Sequence, residues 1–154
     1  MKRILLTGAL LPILGLNISL APATWAAEVE FPTAGGDLAS SLPFSEVVRV
    51  DDTYYLSGQI GTRPGEMKVV EGGIEAEAAQ ALSNIQAVLV RNGLDLSDVV
   101  KCTVMLADIA EWGRFNTVYK TFFQAPYPAR SAFAASGLAL GARVEVECLA
   151  ARSD

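Results

Sequence analysis

The hydrophobic and polar positions change period several times along the chain, and each change marks a predicted element. Alternation over residues 44–50 and 54–60, on either side of a turn at residues 51–52, predicts a β-hairpin. From Ile74 the apolar residues recur at helical spacing, and Gly93 stands where a left-handed C-terminal cap is expected. The folded part of the chain therefore opens with two strands and a helix.

The second half of the chain adds a strand, a helix and a closing strand. Residues 99–107 read as a strand, and Asp108 with Glu111 forms a predicted capping box for a helix that runs to about residue 123. Strict alternation over residues 142–149 predicts the last strand. This order of elements predicts an α+β domain in which two helices pack on a sheet.

The strand at residues 99–107 is apolar on both of its predicted faces. Simple alternation assigns Val100 to the face of Cys102 and Val99 to the opposite face, together with Met105. One layer of helices covers only one face of a sheet, so the other face needs a further layer. We expect a second copy of the chain to supply that layer.

The first residues have the layout of a secretory signal peptide. A positively charged start precedes an apolar run over residues 4–20 and small residues up to Ala26. An uncleaved membrane anchor is the alternative, but the run is near the lower length limit for a span and contains Pro12 and Asn17. We therefore expect cleavage of residues 1–26 and a periplasmic or secreted protein.

After this segment, composition indicates one domain. Residues 27–42 mix proline, glycine and serine and are predicted to be a flexible lead-in, and residues 43–154 form the domain. The net charge of −5 argues against a nucleic-acid partner, because such binding needs a basic surface. The chain has no histidine, which excludes a histidine-containing triad, a histidine-ligated metal and a histidine general base.

The two cysteines are far apart in the sequence and lack the close spacing of a zinc site. Cys102 and Cys148 each lie in an apolar, strand-like run, so buried thiols are the default interpretation. A disulfide is the less expected alternative, which an oxidising compartment would permit. We predict no metal and no cofactor.

The clearest candidate for chemistry is Arg130. It lies within residues 127–133, among prolines, alanines and aromatic residues that read as half-buried. A guanidinium in such surroundings needs an anion, and its planar fork suits a carboxylate or a phosphate. The alternative is an internal salt bridge with one of the chain's own carboxylates.

Four further positions are unusual for their elements. Asn116 falls in the apolar stripe of the second helix, where a polar amide is either a structural tether or a ligand contact. Gly58 interrupts a strand and marks a bulge, a close ligand approach or an ordinary bend. Glu145 and Glu147 share one face of the last strand. A carboxylate there either pairs with Arg130, holds a catalytic water or faces solvent.

Taken together, these segments resemble a known family, the Rid family of reactive intermediate (enamine/imine) deaminases. The resemblance rests on YLSGQI at residues 55–60, DVVKCTV at residues 98–104, PARS at residues 128–131, VEVE at residues 144–147, and Asn116, Tyr119, Phe122 and Phe123. It implies a chorismate-mutase-like α+β fold, with a mixed sheet and two helices on one face. It also implies a homotrimer with sites in the clefts between subunits.

The resemblance implies a hydrolase of C=N bonds that converts 2-imino acids, formed from enamines such as 2-aminoacrylate, into 2-keto acids and ammonia. By motif, Arg130 would hold the substrate carboxylate, and Ser57, Gly58 and Asn116 would line the pocket. Glu145 would orient or activate the attacking water. This chemistry needs positioning and one weak base, because a protonated imine carbon is already electrophilic.

Two positions depart from the family pattern. Phe44 stands where archetypal members carry a tyrosine, and Ala132 stands where a cysteine commonly follows the Arg-Ser pair. Phe44 removes a hydroxyl from the predicted substrate pocket, and Ala132 keeps only a main-chain contact. The alternative function is therefore a non-catalytic module that binds small carboxylates. Endoribonuclease activity, attached to some relatives, is disfavoured by the acidic charge.

Overall fold

The computed structural model describes residues 26–33, 35–36 and 41–152, so the predicted signal peptide lies almost wholly outside the described residues. The elements in chain order are β1 (Val29–Glu30), β2 (Val47–Val50), β3 (Thr53–Leu56), β4 (Gln59–Ile60), α1 (Gly73–Arg91), β5 (Val99–Leu106), α2 (Trp112–Phe122), β6 (Ala129–Ala134) and β7 (Val144–Ala151). Short 3-10 turns precede β5, α2 and β7.

The strands form one mixed sheet with the order β1-β2-β3-β7-β5-β6, and β4 also pairs with β7. The pairs are antiparallel except β5 with β6, which is parallel. The inward residues of α1 and α2 share one buried cluster with the inward residues of β5 and β7. The predicted α+β architecture, a mixed sheet with two helices on one face, is confirmed.

The predicted hairpin is present, but its strands are shorter than expected. β2 begins at Val47 rather than at Phe44, and the second strand stops at Leu56. Both β3 and β4 pair with β7, but the register shifts by one residue between the pairs Tyr55–Leu149 and Gln59–Val146. The uninterrupted strand predicted over residues 54–60 is therefore wrong, because an extra residue at Ser57–Gly58 interrupts the pairing, as in a β-bulge.

Alternation also failed at the start of β5. Val99 is buried and Val100 is half-exposed, the reverse of the predicted assignment. A register shift between Val99 and Lys101, opposite β7, inserts one extra residue at Val100. A bulge of this kind reverses the face of every residue that precedes it.

The helix ends agree with the sequence in part. Gly93 has a φ of 71° and follows α1 as the left-handed residue that the pattern predicted. Asp108 caps the segment before α2, since its carboxylate accepts a hydrogen bond from the Ala110 N–H at 2.9 Å. The predicted capping box with Glu111 is wrong, because the Glu111 carboxylate instead accepts hydrogen bonds from Arg143 at 2.6–3.1 Å.

Cys102 and Cys148 form a disulfide, so the predicted buried thiols are wrong. The two residues are direct cross-strand partners in β5 and β7, and their Cα atoms lie 4.1 Å apart. The sequence separation of 46 residues hides this proximity, which depends on the register of the two strands. Both half-cystines lie in the buried core.

The predicted lead-in contributes β1, which pairs with β2 at the edge of the sheet. Residue 34 and residues 37–40 of this segment lie outside the described residues. Among the helices that the structure describes, none combines the length and the apolar character needed to cross a membrane.

Candidate functional site

Arg130 lies on β6, at the edge of the sheet, and its side chain turns towards α2. Its partner in β5 is Cys102, so Arg130 is on the face that the helices cover. The guanidinium carbon is 4.6 Å from the ring centroid of Tyr119, 5.8 Å from that of Phe115 and 5.9 Å from that of Trp112. Three aromatic rings of one helix face therefore surround the guanidinium.

Within the described part of the chain, no carboxylate lies within 4.0 Å of the Arg130 guanidinium. The internal salt bridge considered from the sequence is thus not formed there. Aromatic faces attract a guanidinium but leave its positive charge and its N–H donors unpaired. Arg130 is half-buried and is available to bind an anion.

Two buried polar atoms of α2, the helix whose rings surround Arg130, lack hydrogen-bond partners among the described residues. They are the side-chain oxygen Oδ1 of Asn116 and the hydroxyl of Tyr119. Asn116 lies one helical turn from both Trp112 and Tyr119, on the same side of α2. A buried acceptor without a partner costs free energy, so the position of Asn116 fits a ligand contact better than a structural tether.

Burial raises the pKa of Tyr119, and the nearby charge of Arg130 opposes this rise. The hydroxyl therefore stays protonated and neutral at pH 7. Two residues after Arg130 along β6, Ala132 is half-buried against the core and provides no side-chain polar atom. The helix side of the site thus combines one cation with a neutral, largely apolar surrounding.

A second group of predicted residues gathers around Gly58. A Cβ atom added to Gly58 would lie 2.0 Å from Oε1 of Glu145, so the glycine makes room for this carboxylate. The Ser57 hydroxyl donates a hydrogen bond to the main-chain oxygen of Ser45 at 2.7 Å. That bond holds the chain next to Phe44, which is half-exposed. Four predicted site residues therefore form one local cluster.

The two groups lie on opposite faces of the sheet within one chain. Arg130, Cys102 and Cys148 form one lateral row on the helix-covered face. Glu145 is three residues from Cys148 along β7, so its side chain points to the other face. A single chain therefore does not bring Arg130 and Glu145 into one cavity.

The carboxylates of the last strand have different surroundings. Glu145 is half-buried beside Gly58, whereas Glu147 is exposed. Of the two candidates, Glu145 has the environment of a functional carboxylate, and Glu147 is a solvated side chain.

An ionic cluster of two buried glutamates and a half-exposed arginine, not predicted from the sequence, fixes the start of β7. The buried carboxylate of Glu77 accepts a hydrogen bond from the Arg143 main-chain N–H at 2.7 Å, and buried Glu111 binds the Arg143 guanidinium. Arg143 directly precedes β7, so the cluster anchors the strand two residues before Glu145. The one indication of this cluster in the sequence was a glutamate at a core-facing position within or directly before each helix, Glu77 and Glu111.

The aromatic rings around Arg130 were predicted as the apolar stripe of a helix, but their contact with the arginine was not. Their spacing of three and four residues is equally typical of a buried helix face.

In the described residues there is no group of three or more Cys, Asp or Glu side chains that would hold a metal ion. Two cavities, of about 420 Å³ and 250 Å³, are lined by residues outside the predicted set.

Comparison with known proteins assigns the family. The family model described as Endoribonuclease L-PSP matches residues 35–152. A 2-iminobutanoate/2-iminopropanoate deaminase of Mus musculus is 46% identical over 108 residues, which are 70% of this chain and 80% of that protein. The protein of the same name from Homo sapiens is 44% identical over 108 residues, which are 70% of this chain and 79% of that protein.

Solved structures agree with this assignment. RidA from an Antarctic Psychrobacter bacterium is 36% identical, with a TM-score of 0.69 over 79% of this chain and 93% of that one. The YjgF gene product of E. coli is 31% identical, with a TM-score of 0.70 over 75% of this chain and 92% of that one. The motifs, the fold and these relatives together show that the chain belongs to the Rid family, the group matched by the Endoribonuclease L-PSP family model.

Proposed function

We propose that the protein hydrolyses 2-imino acids to 2-keto acids and ammonia. The observation that carries this proposal is Arg130, a half-buried guanidinium without a carboxylate partner in the described part of a chain whose relatives are named imine deaminases. A 2-imino acid has a carboxylate next to the reacting C=N carbon. Binding that carboxylate at Arg130 fixes the position of the carbon.

In the proposed reaction, water adds to the carbon of the protonated imine. The carbinolamine that results loses ammonia as the C–N bond breaks, and the remaining oxygen becomes the keto oxygen. Glu145 accepts a proton from the attacking water and returns it to the carbinolamine nitrogen, which leaves as ammonia and takes up the hydroxyl proton as ammonium. Asn116 accepts a hydrogen bond from the imine nitrogen through its unpaired Oδ1. Neither an enzyme nucleophile nor a cofactor is needed, because the protonated imine is already electrophilic.

We further propose that the site is completed between subunits of a homotrimer. Arg130 and Asn116 of one subunit would face Glu145, Gly58 and Ser57 of the next. Their separation on the two faces of the sheet within one chain supports this arrangement. The sheet face away from the helices also exposes large apolar side chains, a further argument for a partner on that face.

Export is part of the proposal, and it rests on the sequence of residues 1–26. N-terminal sequencing of the protein recovered from the periplasm or the culture medium would test it. We expect the mature chain to begin after Ala26. Recovery of the intact N-terminus in the cytoplasmic fraction would contradict export.

The alternative function is a module that binds small carboxylates without turning them over. Phe44 and Ala132 favour it, since both lack groups that the family pattern places at the site. The position of Glu145 against Gly58 favours the enzyme, because a carboxylate binder has no use for a general base. Binding of RNA is disfavoured, since 17 acidic residues outnumber 12 basic ones.

The deciding experiment measures keto-acid release from freshly generated 2-imino acids of increasing side-chain size. Wild type, Arg130→Ala and Glu145→Gln are compared with the uncatalysed reaction. We expect acceleration by wild type, and a loss of about 100-fold or more in kcat/KM in each variant. Wild-type rates equal to the uncatalysed rate across the series would reject the deaminase and favour the carboxylate-binding module.

A further inference from the structure

We propose that Tyr119 is a positioning residue for Arg130: its ring is the platform that orients the guanidinium for the substrate carboxylate. This inference rests on the proposed function and adds to it a residue that does not itself react. Of the three rings around Arg130, that of Tyr119 is the nearest, at 4.6 Å. The other two lie 5.8 and 5.9 Å away, at the outer limit of a cation–π contact.

The platform is itself rigidly held. Phe115 and Tyr119 lie on α2 and Phe123 directly follows it; the three are spaced four residues apart and are all buried. The centroid distances are 5.7 Å between Phe115 and Tyr119, and 4.5 Å between Tyr119 and Phe123. A ring packed on both sides in this way has little freedom, so it presents a fixed surface to Arg130.

An arginine that binds substrate needs an anchor that leaves its function intact. A carboxylate anchor would neutralise the charge and occupy the N–H donors, and the described residues place none within ion-pair distance of Arg130. An aromatic face attracts the cation while leaving the N–H donors on its edge free. Tyr119 therefore holds Arg130 without competing with the substrate carboxylate.

The ring, and not the hydroxyl, performs this role. The Tyr119 hydroxyl is buried and has no hydrogen-bond partner among the described residues, Arg130 included. Phenylalanine preserves the ring face and removes only the hydroxyl. The role of the platform is therefore separable from that of the hydroxyl by a conservative substitution.

The test compares Tyr119→Leu, Tyr119→Phe and a matched control, Phe123→Leu. Phe123 is as buried as Tyr119 and belongs to the same ring stack, but it has no contact with Arg130 in the structure. Steady-state kinetics give KM and kcat for a 2-imino acid, and calorimetry gives the Kd of 2-oxobutanoate, a non-reacting 2-keto acid. Thermal unfolding reports the stability of each variant.

We expect Tyr119→Leu to raise KM and the Kd of 2-oxobutanoate about tenfold, with kcat changed less than about threefold. Tyr119→Phe should keep both constants within about twofold of wild type, because the ring remains. Phe123→Leu should lose as much stability as Tyr119→Leu but raise KM less than about threefold, because Tyr119 keeps its ring and its contact with Phe115. If Phe123→Leu weakened binding as much as Tyr119→Leu, or if Tyr119→Leu bound normally, the proposal would be overturned.

An NMR measurement without substrate distinguishes a failure of the aromatic platform from a failure of the deaminase proposal. The NMR signal of the Arg130 Nε–H should be resolved in wild type and in Tyr119→Phe, and averaged in Tyr119→Leu. If wild type showed no deaminase activity but the signals behaved in this way, the platform would stand and the deaminase would fail. Unchanged Arg130 signals in a folded Tyr119→Leu protein would reject the platform whatever the activity.

If Tyr119→Leu failed to fold, Trp112→Leu takes its place, since this ring lies 5.9 Å from the guanidinium carbon. It should raise KM and the Kd of 2-oxobutanoate and average the Arg130 signal, each to a smaller extent.

Discussion

At the scale of single residues, Gly58 shows how a residue without a side chain serves the site. The sequence marked it as unusual in a strand and left three explanations open. The structure shows a bulge, since one extra residue lies between Tyr55 and Gln59 opposite β7, and the space beside Gly58 is filled by the Glu145 carboxylate. The partner is a side chain of β7, 87 positions away in a chain of 154 residues, so no local pattern identified it.

We therefore expect Gly58→Ala to force the Glu145 carboxylate out of place, because the new Cβ would lie 2.0 Å from Oε1. The atoms met belong to the end of a flexible side chain that can turn away, so the loss of stability should be about 1 kcal/mol or less, while deaminase activity should fall at least about tenfold because Glu145 is displaced. Denaturant unfolding and kcat/KM are the measurements. Gly113→Ala is the control, since a Cβ at Gly113 meets no atom within 4 Å.

A second substitution, at Glu145, tests whether the clash with its carboxylate causes the loss of stability in Gly58→Ala. In Glu145→Ala the clashing carboxylate is absent, so adding Gly58→Ala should cost less stability there than in wild type. An equal loss of stability in both backgrounds would show that the close approach to Glu145 is not what requires glycine at position 58.

At the scale of elements, side-chain pairs join parts of the fold that the sequence keeps apart. Arg114 of α2 donates two hydrogen bonds to the Glu75 carboxylate at the start of α1, one of them at 2.6 Å. The disulfide joins β5 to β7 in the centre of the sheet. The sequence predicted each element but neither connection, since both depend on how the elements pack.

The Glu75–Arg114 pair predicts a pH dependence. The hydrogen bonds from Arg114 lower the pKa of Glu75 below 4.5, so its contribution to stability is present above pH 4.5 and is lost as the pH falls through the folded-state pKa. We expect Glu75→Gln to be less stable than wild type at pH 7 and to lose less stability on acidification below pH 4.5. Denaturant unfolding across pH 2–7 is the measurement.

Glu71→Gln is the control for this titration, since Glu71 forms only an exposed pair with Lys68. Its unfolding free energy should follow that of wild type at every pH. A Glu75→Gln protein with the full wild-type loss below pH 4.5 would contradict the assigned role of the Arg114 pair.

The disulfide predicts a large contribution to stability. Closing a chain segment of 46 residues restricts the unfolded state by about 4 kcal/mol in the chain-entropy description. The double variant Cys102→Ala/Cys148→Ala should lose about this much free energy of unfolding. Counting thiols in the denatured, non-reduced protein should find none in wild type, and two per chain would contradict the disulfide.

At the scale of the whole molecule, the described residues of a single chain place no layer over one face of the sheet. Tyr55, Met105, Phe133 and Leu149 occupy this face, and Tyr55 and Phe133 are about half-exposed. Burial of apolar surface favours association, which agrees with the trimer proposed above. The same association would unite the two halves of the site, so activity and assembly should be linked.

We therefore expect the mature protein to scatter light as three chains at micromolar concentration, and Phe133→Glu to reduce both the mass and the deaminase activity. A charge on this face opposes its burial in an interface. Val90→Glu is the matched control, because Val90 is also an exposed apolar residue but lies on α1, in the helix layer. A wild-type monomer with full activity would refute the link between assembly and catalysis.

Much of the fold was predictable because it depends on local patterns, whereas the assignment of the site residues stays a prediction. The period of the apolar residues determined that two helices would alternate with strands, and Gly93 determined where α1 ends. The chemistry of single residues sufficed to select Arg130 and to mark Asn116 as unusual, since charged and polar groups in apolar surroundings need a partner or a purpose. The choice of Glu145 over Glu147 came from the family resemblance.

Only the tertiary structure decided which residues meet. The pairing of Cys102 with Cys148, the bulge at Val100 and the contact of Glu145 with Gly58 all depend on strand register, which a change of one residue would reverse. The aromatic platform beneath Arg130 depends on how α2 packs over β6. By itself the sequence determined the helices, the strands and the chemical groups they carry, because these are local properties. The distances between those groups were decided by the packing of elements that lie far apart along the chain.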